Sequence, residues 1–318
     1  MTIVLTQAWN AERTLPRTIE SVLAQENADF AYHILDSAST DDTRRIILNA
    51  AAKDARVFPV MCRENKLQNY MSYIERLLRD TSYGDRDTLT IVDADDELLP
   101  GALELMKEAV DGDHSDVVVG GVRFFKDDGT TDSLWIKDMH LPKSDLPGIF
   151  RYLRGFLCPS WEKLYTLGLL RKTDFTQAKA MRYSGDAVFV TEAFRHVKSV
   201  SFRSQPVIHY HHSAGQVTKK FDPLRYDAAE AVFCAMLRFL DEIGPVSFDN
   251  RMCLYRFYFK EIVSFLETAD YADLPKEEKR YWANLALMAP RLRETLACNE
   301  ITDGEWRYFH DLCNTMRA

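Results

Sequence analysis

The stretch that decides the fold is "TLTIVDADDELLP", residues 88–100. A short run of β-branched and apolar residues is followed at once by four acids, which are Asp93, Asp95, Asp96 and Glu97. Such a run, ended by charged residues, is typical of a buried strand that stops at a loop. Carboxylates this close raise each other's pKa unless a cation lies between them. The stretch therefore predicts a strand whose end carries a capping, metal-binding or catalytic loop.

Similar runs flank this stretch within the first 130 residues, and helical patterns separate them. The runs are "TIVLTQAW", "AYHILDS", "RVFPVMC" and "DVVVGGVRFF". Leu15, Ile19 and Val22 fall on one face of a helix, and "STDDTRRIILNAAAKD" opens with capping residues. Strands alternating with helices predict an α/β fold with a largely parallel sheet covered on both faces. Ligands of such sheets bind at the carboxyl ends of the strands, where Asp36 and Asp93 lie.

The composition changes after residue 220. "DPLRYDAAEAVFCAMLRFLDEIGP" starts with Asp222 and Pro223, a plausible N-cap and N1 pair, and stops at Gly-Pro. Three more helical stretches follow, including "RMCLYRFYFKEIVSFL". The sequence therefore predicts an α/β domain over residues 1–220 and a helical region over residues 221–318.

The overall composition restricts the function classes. The chain has 318 residues, 46% of them hydrophobic, and a net charge of −8, which gives no electrostatic footprint for nucleic acid. The six cysteines are scattered without a C-x-x-C pair, as expected of reduced thiols in a cytosol. There is no signal-peptide pattern and no apolar window long enough for a membrane span. These features predict a cytoplasmic protein.

The four acids divide into two pairs. Asp96 and Glu97 precede the helical stretch "PGALELMKEAV", so we expect them to favour its positive N-terminus. Asp93 and Asp95 lie earlier, inside the transition from strand to loop. A hard divalent ion, Mg²⁺ or Mn²⁺, is the natural occupant between them, and such ions usually also bind substrate phosphate oxygens. This pair therefore predicts a metal site for a nucleoside diphosphate.

Six segments together resemble the GT-A-fold glycosyltransferases of family 2. "TIVLTQAWNAERTLPRTIESVLAQ", "HILDSASTDDT" and "IVDADDELLPGALELM" resemble the family's opening, nucleotide-contacting and D-x-D segments. "PSWEKLYTLGLLRKTDF", "YSGDAVFVTEAF" and "PVIHYHHSAGQVT" are similar to its acceptor-side, base and late-strand segments. The resemblance covers roughly residues 2 to 220, and it implies a Rossmann-like GT-A sheet flanked by helices.

The resemblance also implies a reaction and the residues for it. It implies an inverting, metal-dependent transfer from a nucleotide sugar, most simply a UDP-sugar, with Asp186 as the general base. Asp36 would accept a hydrogen bond from the imide N–H of uracil. The metal, Mn²⁺ or Mg²⁺, would be bound by Asp95 and His212. The residues expected to contact the nucleotide are Thr6, Trp9, Asn10, Asp36, Asp93 and Ala94.

Several of these positions have a simpler interpretation. Asp36 could only initiate a turn. Alternation predicts that His209 and His211 share one face of a strand, and that Tyr210 and His212 share the other; buried, hydrogen-bonded histidines would explain them equally well. Lys163 and Arg182 could serve the acceptor or the phosphates, but the default expectation for both is a solvated cation.

The sequence departs from the family pattern at three places. Trp9 lies in an entry loop that commonly reads Pro-Thr-Tyr-Asn, Gly185 replaces the Glu of Glu-Asp, and Glu162 replaces an Asn. Gly185 keeps a non-catalytic nucleotide-sugar-binding module open as an alternative. A nucleotidyltransferase is a second alternative, but it would need a glycine-rich basic loop, and "TQAWNAERT" has no glycine.

The acceptor and the partners are less defined by sequence. The resemblance implies a hydroxyl of a glycan or lipid-linked saccharide, in surface polysaccharide synthesis at the cytoplasmic face of the membrane. The segment "LYRFYFK" in the helical region could dock a partner, form a homo-oligomer or touch lipid headgroups at the periphery. Packing of the same aromatic residues in a core would explain the segment equally well.

Overall fold

A computed structural model describes residues 1–66, 68–125, 131–134, 136–211, 220–245, 247–295 and 300–318. The chain forms two compact units. The sheet unit comprises Met1–Leu146 and Phe156–Ser213, and the helical unit comprises Pro147–Gly155 and Ala214–Ala318. That residues 1–220 and 221–318 are separate domains stays a prediction.

Within the described residues, the sheet unit contains ten strands. They are β1 (Thr2–Ala8), β2 (Phe30–Asp36), β3 (Val57–Met61), β4 (Thr88–Ile91), β5 (Glu97–Leu98), β6 (Val117–Phe125), β7 (Thr131–Leu134), β8 (Met139–Pro142), β9 (Lys163–Thr166) and β10 (Ser199–His211). The order across the sheet is β3-β2-β1-β4-β9-β6-β10-β5, with β7 on β6 and β8 on β10. β3, β2, β1 and β4 run parallel, as do β6 and β10, whereas β9 is antiparallel to both its neighbours. The predicted α/β fold is confirmed.

The helices are α1 (Leu15–Leu23), α2 (Thr43–Lys53), α3 (Asn69–Leu77), α4 (Ala102–Asp113), α5 (Phe150–Leu153), α6 (Leu167–Leu170), α7 (Thr176–Ala180), α8 (Gly185–Arg195), α9 (Leu224–Ile243), α10 (Phe248–Tyr271), α11 (Lys276–Met288), α12 (Pro290–Thr295) and α13 (Asp303–Arg317). In the described part of the chain, 3₁₀ helices cover Lys143–Ile149 and Arg154–Phe156. The apolar stripe predicted for α1 is confirmed, because Leu15, Ile19 and Val22 are buried against the sheet. The opposite side of α1 is free to carry polar residues.

The helical unit contains α5 and α9 to α13. Its first long helix begins one residue later than predicted: Pro223 is the N-cap of α9, and Asp222 Oδ1 accepts the Leu224 amide at 3.0 Å. In the segment "LYRFYFK", Leu254, Tyr258 and Phe259 are buried within this unit. None of the helices in the described ranges is long and apolar enough to cross a membrane.

Candidate active site

Two acids that follow β4 interact beyond its carboxyl end with a third acid from a distant part of the sequence. Asp93 and Asp95 follow the strand, and Asp186 lies in the first turn of α8. Burial raises the pKa of Asp93 to about 7, and the negative charges of Asp95 and Asp186 add to this shift. Burial also raises the pKa values of Asp95 and Asp186. These acids therefore form one electrostatic site, in which the charged forms are costly without a cation.

A buried ion pair lies beside Asp186. Lys163 Nζ donates to Glu162 Oε1 at 2.5 Å and to Pro159 O at 2.8 Å, and both charged side chains are buried. The positive charge of Lys163 opposes the effect of burial on the pKa of Asp186. The expectation that Lys163 is a solvated cation is wrong, because a carboxylate and main-chain carbonyl groups satisfy it inside the protein.

Glu162 itself has an unusual backbone. Its φ of 53° lies in the left-handed region, where Asn is tolerated far better than Glu. This explains in physical terms why an Asn suits this position. Burial raises the pKa of Glu162 to about 8, despite Lys163, and Asp93 and Asp186 contribute to the shift. Glu162 therefore belongs to the same acidic site.

Packing explains why Gly185 stands where the family pattern has Glu. A Cβ atom added there would lie 2.6 Å from Ala178 O, closer than real Cβ contacts allow. The preceding residue, Ser184, has a φ of 55° and is the N-cap of α8. The tight approach of α7 to α8 thus requires glycine next to Asp186. The absence of the family's Glu at this position has a steric cause and does not by itself indicate a lost function.

One face of α1 binds the loop that carries Asp93 to Glu97, which we call the acid loop, and sequence reasoning missed this role. We call Arg17, Thr18 and Ser21 of α1, together with Gln25 just past its C-cap Ala24, the polar face of α1. Its bonds to the main chain of residues 95–103 run from Arg17 Nη2 to Asp95 O (2.7 Å), Thr18 Oγ1 to Asp96 O (2.8 Å), Leu98 N to Ser21 Oγ (3.1 Å), Gln25 Nε2 to Leu99 O (3.0 Å) and Leu103 N to Gln25 Oε1 (3.2 Å). The available signal was the set of polar residues Arg17, Thr18 and Ser21, which lie beside the apolar stripe of α1.

Asp96 and Glu97 bind β10 and do not cap a helix. The helix α4 begins later, at Ala102, so the predicted capping role is wrong. Asp96 Oδ1 accepts the main-chain amide of His211 at 2.9 Å, while its buried Oδ2 has no hydrogen-bond partner within the described residues. Glu97 Oε1 lies 2.6 Å from His211 Nε2 and 3.1 Å from Arg17 Nε. The two-residue strand β5 makes this possible, because it pairs with β10.

The histidines of β10 lie as alternation predicts. The rings of His209 and His211 share one face, with centroids 4.7 Å apart, and Tyr210 instead contacts Phe124 and Trp161. Glu97, His209 and His211 have possible metal-ligand atoms that all lie within 4.8 Å of one another. The predicted ligand His212 lies outside the described residues.

The entry loop after β1 is bonded to the loop after β2. Asn10 Oδ1 accepts the Thr40 amide at 2.8 Å, and the Asn10 amide donates to Ser39 Oγ at 3.0 Å. Trp9 is 52% exposed at this edge, so its ring is available to a ligand. Thr6 is buried, and its hydroxyl lies 3.0 Å from Tyr32 OH, so its side chain is closed to a ligand here.

Ala94 and Asp36 were also expected to contact the nucleotide, and the structure shows where both lie. Ala94 is partly buried and packs against the core beneath the acid loop. Asp36 ends β2 but has no exposed side-chain surface, and both of its carboxylate oxygens accept hydrogen bonds from neighbouring residues. The turn interpretation of Asp36 therefore agrees with its contacts, whereas direct binding of a base stays a prediction.

Comparisons with known proteins agree with this architecture. The family profile described as "Glycosyl transferase family 2" matches residues 3–160. EpsH of Bacillus subtilis (strain 168), a protein named as a glycosyltransferase, is 24% identical over 270 residues, covering 83% of this chain and 73% of EpsH. The structure of S. aureus TarS 1-349 in complex with UDP-GlcNAc is similar, with a TM-score of 0.69 and 16% identity over 99% of this chain and 89% of TarS.

A second solved structure is similar with a lower TM-score. The mannosyltransferase PcManGT of Pyrobaculum calidifontis, in complex with GDP-Man and Mn²⁺, gives a TM-score of 0.51 and 14% identity over 99% of this chain and 86% of PcManGT. At such identities the structures establish the fold alone, and the family comes from the profile match over residues 3–160. With its GT-A fold, the chain belongs to glycosyl transferase family 2 and is a glycosyltransferase.

Proposed function

We propose that the protein is an inverting, metal-dependent glycosyltransferase that uses a UDP-sugar. The acceptor is a hydroxyl of a glycan or lipid-linked saccharide in surface polysaccharide synthesis. The observation that carries this proposal is the convergence of Asp93, Asp95 and Asp186 on one electrostatic site. The choice of UDP is supported by the structure of TarS, which contains UDP-GlcNAc.

The donor set fits a hard divalent cation. Carboxylate oxygens are the ligands that Mg²⁺ and Mn²⁺ prefer, and the acids here are buried together, where their charged forms raise one another's pKa values. Burial and the neighbouring Asp93 raise the pKa of Asp96 to about 9. Asp95 would hold the metal, with His212 as the predicted second ligand. When bound, Mn²⁺ or Mg²⁺ would neutralise charge on the departing diphosphate.

The chain's own residues supply the rest of the chemistry. Asp186, as a carboxylate, would take the proton from the acceptor hydroxyl while that oxygen forms a bond to the anomeric carbon. The bond between that carbon and the diphosphate oxygen breaks at the same time, and the diphosphate leaves with the electron pair. One displacement inverts the configuration. Lys163 helps to keep Asp186 ionised, since its charge lowers the pKa of that acid.

The test separates the metal site from the base. Asp95→Ala should abolish the dependence of UDP affinity on Mn²⁺, and turnover should fall with it. Asp186→Asn should leave UDP affinity nearly unchanged, because the base faces the acceptor, while turnover falls by roughly 10²–10⁴-fold. Isothermal titration with UDP and Mn²⁺, beside a UDP-GlcNAc hydrolysis assay, measures both quantities. Asp273→Asn, an exposed acid of the helical unit, is the matched control.

Two results would count against this proposal. If UDP, GDP and ADP raise the melting temperature equally, with no effect of Mn²⁺, the donor and metal assignments are wrong. If Asp186→Asn keeps full turnover, another group is the base. UDP binding without any hydrolysis or transfer by the wild type would favour the non-catalytic module.

A further inference from the structure

Two histidines that the proposed reaction does not use lie beside Glu97. The strands β5 and β10 are antiparallel, and their register places His209 directly opposite Glu97. His211 is two residues further along β10, so its side chain lies on the same face as that of His209. The two imidazole rings have centroids 4.7 Å apart, and His211 Nε2 lies 2.6 Å from Glu97 Oε1. The sheet therefore brings one carboxylate and two imidazoles together on one face.

The spacing of these three side chains suits a metal ion. Each offers one ligand atom, and these atoms all lie within 4.8 Å of one another. In a tetrahedral zinc site the ligand atoms lie about 3.3 Å apart, as follows from metal–ligand bonds of about 2.0–2.1 Å. Small rotations of the side chains would bring the atoms to this separation, because the paired strands already hold the main chain in place. The side chains of His211 and Glu97 are only 16% and 27% exposed, so this is not a freely solvated pair.

The ligand chemistry separates this cluster from the acids Asp93 and Asp95. Imidazole nitrogens suit Zn²⁺ and similar borderline ions, whereas Mg²⁺ and Mn²⁺ prefer oxygen ligands. Two histidines and one glutamate, with a fourth position left for water, form a ligand set that zinc enzymes use. The expected ligands of the hard metal, Asp95 and His212, are not members of this set.

We propose that Glu97, His209 and His211 form a second metal site, which takes Zn²⁺ or a similar borderline divalent ion. The inference goes beyond the proposed function, because the site requires neither the nucleotide nor the hard metal. The pattern of ligands is simple: two residues spaced i and i+2 on one strand, and a third directly opposite on the neighbouring strand.

Two cations face the cluster and oppose the binding of a metal. Arg123 is the partner of His209 on β6, and Arg17 Nε of α1 lies 3.1 Å from Glu97 Oε1. A bound ion would compete with Arg17 for this carboxylate. Because Arg17 also donates to Asp95 O at 2.7 Å, the competition would link the second metal site to the acid loop. Removal of Arg17 should therefore tighten the binding of Zn²⁺, which is the opposite of what damage to the fold would cause.

Titration of the protein with Zn²⁺, without nucleotide and in excess Mg²⁺, tests the ligands. His209→Gln should weaken Zn²⁺ binding by roughly tenfold or more, since the loss of even an outer-shell partner costs a metal site about 10–100-fold in affinity. His310→Gln, which changes an exposed histidine of α13, is the matched control and should bind Zn²⁺ like the wild type. Arg17→Ala should bind Zn²⁺ more tightly. Wild-type affinity in His209→Gln, or no binding of Zn²⁺ by the wild type, would overturn the proposal.

Asp95→Ala separates the two metal sites. This variant should keep the Zn²⁺ affinity of the wild type within a few-fold, although the dependence of its UDP affinity on Mn²⁺ is lost. Loss of Zn²⁺ binding in Asp95→Ala would place the ion at the expected catalytic metal site and would also overturn the proposal. Absence of UDP binding by the wild type, with Zn²⁺ binding intact, would instead contradict the proposed function and leave the second metal site standing.

Discussion

Gly185 shows how a single position can limit the choice of residue next to a catalytic group. A Cβ atom there would lie 2.6 Å from Ala178 O, so α7 and α8 would have to separate. Gly185→Ala should therefore lower the free energy of unfolding by about 1–3 kcal/mol, the usual range for overpacking. Chemical denaturation measures this quantity. Gly185→Glu, which restores the family's acid, should be at least as destabilising.

Gly112 offers a matched control for that substitution. It lies in α4, and an added Cβ atom would meet nothing within 4 Å. Gly112→Ala should therefore be neutral or stabilise by up to about 1 kcal/mol, through helix propensity. Equal stability of the wild type and Gly185→Ala would show that α7 yields easily at this contact, and the steric explanation for Gly185 would then fail.

The positions of the acids could be predicted from the sequence, but their burial and their ion-pair partners could not. Asp93 and Asp95 could be found because they directly follow an apolar strand, and that signal is local. The burial of Asp36 could not be found, since it depends on how Arg44 folds back across a turn. The ion pair between Glu162 and Lys163 was missed for a similar reason. Adjacent charges are usually solvated, and only tertiary packing buries them.

At the scale of elements, β2, β3 and α3 enclose a histidine that cannot take up a proton easily. The His33 ring stacks on Phe58 at 4.9 Å, and His33 Nδ1 lies 2.7 Å from Tyr73 OH. Burial lowers the pKa of His33 from 6.5 to about 4, and Arg76 adds to the shift. Between these values the unfolded chain binds the proton and the folded chain does not. Stability should therefore fall as the pH falls from 6.5 to 4, by up to about 3 kcal/mol from this group.

His33→Phe tests this pH dependence. The variant loses the bond to Tyr73 at every pH, but the decline in unfolding free energy between pH 6.5 and 4 should be smaller than in the wild type. Urea denaturation at both pH values gives the difference, in which the contribution of the acidic site cancels. His310→Phe, at an exposed position of α13, should keep the wild-type decline. An equally steep decline in His33→Phe would mean that His33 is protonated in the folded state.

Elements with a local signal were predicted well. β1 to β4 and β6 match the apolar runs to within a residue or two, except that β4 ends before Asp93. β9 was not predicted, because "KLYT" is too short to carry a clear period and lies antiparallel between strands from distant parts of the chain. β5 has two residues, and it exists because β10 pairs with it.

At the scale of the whole molecule, the helical unit depends on mutual packing of its long helices. Phe233 of α9 lies 5.3 Å from the rings of both Tyr255 and Tyr258 of α10. Removal of residues 247–318 should therefore expose apolar faces of α9, and the truncated protein should aggregate, since large apolar patches rarely persist on soluble monomers. Light scattering and thermal unfolding measure this, with removal of residues 317–318 alone as the control. A soluble, fully active truncation would show that α10 to α13 form an independent module.

Composition alone could not locate the two units. It changes near residue 220, but Pro147–Gly155 also belongs to the helical unit, and so short a segment carries no compositional signal. The burial of Leu254, Tyr258 and Phe259 supports core packing for the segment "LYRFYFK". A peripheral membrane contact, a homo-oligomer and a cytoplasmic location stay predictions.

The polar face of α1 reduces the conformational entropy that the acid loop loses when a ligand binds. Five hydrogen bonds already fix the main chain of residues 95–103 before a ligand binds. Ligand binding therefore does not have to order a flexible loop, and little conformational entropy is lost. The same helix buries Ile19 and Val22 on its other side. A small rigid-body displacement of α1 would therefore move the acid loop with it. Substitutions that repack the core around Ile19 and Val22 should for this reason change the affinity for the diphosphate.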